Sequence, residues 1–233
     1  MNKGFTLAEV LITLGIIGVV SALTMPQLIA NYQKRQTIVQ FKKVYSTLSQ
    51  GFLRASQDID LVSLGNNWQN RDEVMETLSK YFNVTEKYTT AIASKNYAMD
   101  SFCMNPQNPV GFPKKHRGIG YRWLKQDKIA TGMTTPISHQ PSFVLQDGAC
   151  VGFSYFFQRL VIVDINGNPK GPNRMGYDLF FFQIDSNGNF KPFIRWETAS
   201  PAQIDAWCTK QGEQIDEYCA AKILKDGFEI NYW

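Results

Sequence analysis

Histidine is nearly absent from this 233-residue chain: His116 and His139 are the only two. That is too few for most His-built metal or catalytic clusters, and neither lies beside a serine or cysteine motif. There is no G-x-S-x-G, no H-E-x-x-H, no phosphate-binding Gly-rich loop and no C-x-x-C pair. The expectation is a protein that is not an enzyme and requires no cofactor. Cysteine occurs four times, too few for a disulfide-dense mini-domain but an even number. Charged residues make up 19% and the net charge is +4, so mild a surplus that it does not argue for nucleic-acid binding. No internal repeat or low-complexity tract is present. What the chain does have is hydrocarbon: 44% hydrophobic and 13% aromatic residues, which excludes a disordered polymer.

The apolar residues are concentrated at the start. From Gly4 to Gln33 the only side chain charged at neutral pH is Glu9, and Phe5 to Leu23 is almost continuously apolar. About 20 such residues span a bilayer core as a helix. A secretory signal peptide fits poorly, because the basic region is only Met-Asn-Lys-Gly and the apolar run is long. A plain signal anchor leaves Glu9 unexplained, since a carboxylate in a membrane helix costs roughly 2.5–3.5 kcal/mol on insertion scales. Proteolysis after Gly4 would free the α-amine of Phe5, four residues before Glu9. That spacing puts the two on one helix face, so the amine can neutralise Glu9 in its own chain or in a neighbour.

Lys3-Gly4 before the cut, Phe5-Thr6-Leu7 after it, Glu9, and Pro26 near the end of the apolar run together resemble the N-terminal signal of type IV pilins and type II secretion pseudopilins. The resemblance covers roughly residues 1–35. It implies cleavage between Gly4 and Phe5 by a prepilin peptidase, N-methylation of Phe5, and residence in the inner membrane with the head in the periplasm. Extraction by an inner-membrane assembly platform would then deliver the subunit into a helical filament with other pilins. In that filament Glu9 would pair with the Phe5 amine of an adjacent subunit. The domain organisation expected is a leader over 1–4, a transmembrane and filament-core helix over 5–33, and a head over 34–233. The rival from another class is a membrane-tethered periplasmic binding domain that borrows a pilin-like anchor.

Past Lys34-Arg35, Ile38, Phe41, Val44, Tyr45, Leu48 and Phe52 recur at helical spacing. The helix is therefore expected to continue to about Gln57, with Pro26 kinking or locally melting it. A short helix is expected over Asp72–Phe82 and a loop over Ser94–Arg117. Strand signals follow at Ser142–Gln146 and Cys150–Phe157 around Asp147-Gly148. Others lie at Arg159–Ile165, Asp178–Ile184, and Phe190–Trp196 after Asn187-Gly188. Ala202–Cys208 and Glu213–Lys225 read as helices. A helix followed by an antiparallel sheet is an α+β pattern, which agrees with the pilin-like fold.

Three groups in the head carry candidate chemistry. Asp164, Asn166 and Asn168 alternate like the start of an EF-hand, but Pro169 and Met175 replace the Gly and Glu that such a loop needs. Resemblance to major pseudopilins, which bind calcium in a loop near their C-terminal strands, makes Asp164, Asn166, Asn168 and Asp178 candidate Ca²⁺ ligands. The alternative is a loop pinned by Asn/Asp side-chain bonds. Lys114-Lys115-His116-Arg117 is the densest basic cluster, read as a solvated loop rather than a DNA contact. Cys103, Cys150, Cys208 and Cys219 fall in the part expected to be periplasmic, where disulfides form. The break at Gln211-Gly212 allows two helical segments to fold together and bring Cys208 to Cys219, leaving Cys103 for Cys150.

Overall fold

The computed structural model describes residues 6–66, 70–89, 141–154, 159–167, 170–195, 198–209 and 217–233. Cys103, Asn168, His139, the cluster Lys114–Arg117, Gly4 and Phe5 lie outside them. The chain divides into two units, Met1–Val39 and Gln40–Trp233. A single helix, α1 (Leu7–Asp58), supplies the first unit and enters the second.

In the first unit no described side chain is buried. Leu11, Ile12, Ile16, Ile17, Val20, Leu23 and Leu28 are all exposed. It is the one helix among the described residues long and apolar enough to cross a membrane. Pro26 sits within it, and the helix is unbroken there. The expected local melting is therefore absent; the missing N–H removes one ladder bond without ending the helix.

The second unit begins with the α1 stripe. Phe41, Val44, Leu48, Phe52 and Ala55 are buried, each large side chain contributing about 1.5–3 kcal/mol by leaving water. Gly51 lies on the same face. A Cβ there would sit 1.9 Å from the Phe82 ring, so only glycine admits that ring. Two short helices follow, α2 (Leu61–Asn66) and α3 (Arg71–Ser79).

Six strands then form an antiparallel sheet in chain order: β1 (Val84–Tyr88), β2 (Ser142–Leu145), β3 (Cys150–Phe153), β4 (Leu160–Asp164), β5 (Leu179–Ile184) and β6 (Phe190–Pro192). Asp147-Gly148 turns β2 into β3, with Gly148 at φ +90. At the β5–β6 turn, Asp185 Oδ1 accepts from the amides of Asn187 (2.9 Å) and Asn189 (2.8 Å). Every residue of β4 and β5 is buried, because the sheet is covered on both faces. Phe180 and Phe182 meet Phe41 of α1. Leu179 and Phe181 join Ile204, Tyr218 and Ala221 on the other side. Those last residues belong to or flank two C-terminal helices, α4 (Pro201–Ala206) and α5 (Cys219–Lys225).

This is the expected α+β, pilin-like architecture, with differences in detail. Of the helix read over Glu213–Lys225, Cys219–Lys225 is helical, Glu217 and Tyr218 form a turn, and residues 213–216 lie outside the described residues. The strand read over Phe190–Trp196 runs only over Phe190–Pro192, with one further bond from the Phe193 amide to the Phe181 carbonyl at 3.0 Å, and Trp196 lies outside the described residues. Strand β1 and helix α2 have no counterpart in the sequence reading.

Candidate functional site

Glu9 stands in the first turn of α1. Its Oε2 accepts from the Thr6 amide at 2.8 Å and from the Thr6 hydroxyl at 2.8 Å, while Thr6 Oγ1 accepts from the Glu9 amide at 3.3 Å. This is a reciprocal capping box, Thr at the N-cap and Glu at the third helical position. Thr13 reinforces the turn by donating its hydroxyl to the Glu9 carbonyl at 2.9 Å. Thr6 thus supplies hydrogen bonds to this carboxylate but no compensating charge. The sequence reading assigned Thr6 no such role, although Thr-x-x-Glu before an apolar run is a readable signal.

In the second unit, Asp164 ends β4 and Asp178 precedes β5. Asp164 is fully buried and Asp178 is 2% exposed. Asp164 Oδ1 accepts from the amides of Asn166 (3.1 Å) and Gly167 (2.9 Å). Asp178 accepts from Asn173 N (2.7 Å, Oδ2) and Arg174 N (2.6 Å, Oδ1). Burial, and then the nearby negative charge of Asp164, push the Asp178 carboxyl up to about 8. Asn166 Nδ2 donates to the Gly171 carbonyl at 3.1 Å, and its buried Oδ1 has no hydrogen-bond partner. Asp164, Asn166 and Asp178 all belong to this loop, and Asn168 lies outside the described residues. The same loop is also pinned by side-chain bonds, as its alternative reading required. Oxygen donors of this kind suit a hard cation. No group of three or more His, Cys, Asp or Glu able to hold a metal occurs among the described residues.

The loop is held from outside as well. Gly176 adopts φ +74, and its carbonyl accepts from Tyr232 Oη at 2.7 Å and Trp233 Nε1 at 3.1 Å. The Trp233 ring stacks on Tyr177 with centroids 3.9 Å apart.

Cys208 and Cys219 form a disulfide with Cα atoms 4.9 Å apart. Beside it, Lys222 and Lys225 of α5 both reach Asp205 of α4. Cys150 is disulfide-bonded too. Near this corner Arg195 Nη2 meets the buried Glu217 Oε2 at 3.2 Å. Burial pushes Glu217 up to about 7 against the opposing pull of Arg195.

Residues 1–25 match the family described as the prokaryotic N-terminal methylation motif, the prepilin signal of type IV pilins and pseudopilins. No curated protein matches this chain, and neither does any solved structure. The motif supports a type IV pilin-like protein processed by prepilin peptidase. Together with the apolar helix it supports membrane anchoring before assembly with other pilins.

Proposed function

We propose that this chain is a structural subunit of a type IV pilus or a type II secretion pseudopilus. Prepilin peptidase cuts between Gly4 and Phe5 and the new amine is methylated. The subunit waits in the inner membrane on α1 with its head in the periplasm, and an assembly platform moves it into a helical filament. Glu9 draws the Phe5 amine of an adjacent subunit. One observation carries this reading: the methylation motif at residues 1–25 opens a helix that is apolar and without a buried side chain through its first half, and whose single early carboxylate is Glu9. N-terminal analysis of membrane-purified chain, followed by shearing and pelleting of surface filaments, tests it. A mature N-terminus near Leu23 would sink it, and correct processing without filaments would favour a tethered binding domain.

A second proposal concerns the acidic loop. Two buried, mutually repelling carboxylates and the orphaned Asn166 Oδ1 fit a hard dication. We assign Asp164, Asn166 and Asp178, with Asn168, as residues that would hold Ca²⁺. The bound ion would add positive charge between these two carboxylates.

A further inference from the structure

Gly176 sits between the acidic loop and the disulfide corner. At φ +74 it makes the turn that leads to Asp178 two residues on. A Cβ there would stand 2.9 Å from Cys219 Sγ and 3.1 Å from the Tyr232 ring, so glycine lets the bridge rest directly on the loop backbone. The Gly176 amide donates to the Leu179 carbonyl at 3.0 Å, and its own carbonyl is held by Tyr232 and Trp233. The turn therefore cannot yield without breaking hydrogen bonds. Cys208 and Cys219 are both buried, so no water on that side takes up a displacement.

The other carboxylate has a disulfide-bonded neighbour as well. Cys150 pairs with Asp164 across the β3–β4 ladder, and directly opposed residues place their side chains on one face of the sheet. One bridged cysteine thus flanks each member of the Asp164–Asp178 pair.

We infer that the Cys208–Cys219 bridge is a positioning group for the acidic loop, which takes its cation-holding shape only in the oxidised head. A dithiol reductant breaks the S–S bond and is itself oxidised to a disulfide, and its two electrons and two protons leave a thiol on each cysteine. Two thiols need van der Waals spacing where the bridge needed a bond. Cys219 Sγ must then shift against Gly176, and the displacement passes along the turn to the Asn173 and Arg174 amides that orient Asp178. This role rests on the calcium reading of the loop and adds a condition to it: the head gains its cation after its disulfides have formed, in an oxidising compartment.

The test uses the full-length chain in detergent, with Ca²⁺ binding measured by calorimetry. Cys208→Ser with Cys219→Ser is expected to bind Ca²⁺ at least tenfold more weakly than the oxidised wild type, at a temperature where near-ultraviolet circular dichroism shows the head folded. Gly176→Ala keeps the bridge but lodges a methyl group against Cys219. It is expected to weaken binding by a similar factor, and it serves where the double variant does not fold. Asp205→Ala removes the ion pairs of Lys222 and Lys225 between α4 and α5 while leaving the bridge on Gly176. It is expected to lower Tm without changing affinity, which separates positioning from a looser corner. Wild-type affinity in the folded bridge-free chain, or in Gly176→Ala, overturns this role alone, and so does a loss in Asp205→Ala as large as in the bridge-free chain. Absence of Ca²⁺ binding by the oxidised wild type at millimolar concentration overturns the calcium reading and this role with it.

Discussion

The Glu9 carboxylate is held by Thr6, whose amide and hydroxyl both lie 2.8 Å from Oε2. The carboxylate that the filament reading assigns to a neighbouring amine thus has an interim partner in its own chain. The two roles separate chemically. Gln at position 9 can still complete a capping box, but it cannot supply a charge. Glu9→Gln is expected to insert normally and to lose filament incorporation about as severely as Glu9→Ala, by tenfold or more at equal membrane levels. Full incorporation of Glu9→Gln, measured by shearing, would reduce Glu9 to a helix cap.

Processing is checked by mass. The mature chain is expected to begin with N-methyl-Phe5, and Gly4→Leu is expected to leave only the full-length precursor. Intact-mass analysis of membrane-purified protein reads both.

Glu217 predicts a pH dependence. Its carboxyl is raised to about 7 in the folded head, so the fold binds this proton more tightly than the unfolded chain does. The stability it contributes is complete below its ordinary value of 4.5 and is lost as pH rises through about 7. In detergent-solubilised protein, Tm is expected to drop between pH 5 and pH 8, and Glu217→Gln to make that drop shallower, with the raised Asp178 carboxyl contributing the rest. An unchanged slope in the variant would show that Arg195 keeps Glu217 ionised throughout.

Calcium is expected to raise Tm by about 5–10 °C when it is present at a hundredfold excess over its dissociation constant. Asp164→Ala is expected to abolish the effect. Because the ion competes with the proton on Asp178, affinity should increase as pH rises toward 8. No calcium-dependent shift at millimolar concentration would leave the loop held by its own side-chain bonds.

The Cys208–Cys219 bridge closes a short loop, a sequence separation of 11, worth roughly 3 kcal/mol in the chain-entropy model. Cys208→Ser is expected to lower Tm by about 6–12 °C. Non-reducing peptide mapping is expected to recover Cys103 linked to Cys150, and a Cys103–Cys208 peptide would contradict this.

The long helix was legible because its stripe repeats at helical spacing over residues 38–52 and its first turns are nearly pure hydrocarbon. The β2–β3 and β5–β6 hairpins were legible because Asp147-Gly148 and Asn187-Gly188 are strong turn signals. Strand β1 was not, because an edge strand with three exposed residues, Thr85, Glu86 and Lys87, carries little apolar alternation. The double coverage of β5 was hidden for a different reason. A run such as Leu179-Phe-Phe-Phe-Gln-Ile184 announces burial but not what lies on each face. In the acidic loop the residue types were readable. The meeting of Asp164 with Asp178 across fourteen positions depended on pairing between β4 and β5, which places Asp164 opposite Leu179.

The clamp on Gly176 gives the acidic loop an optical voice. Trp233 touches the turn two residues before Asp178 through both its indole N–H and its ring. Any rearrangement around Asp178 is therefore transmitted to an indole, whose emission colour follows the polarity around it. The four other tryptophans would set a constant background. A difference spectrum against Trp233→Phe isolates that one fluorophore, so the loop can be followed in the purified full-length chain without a label.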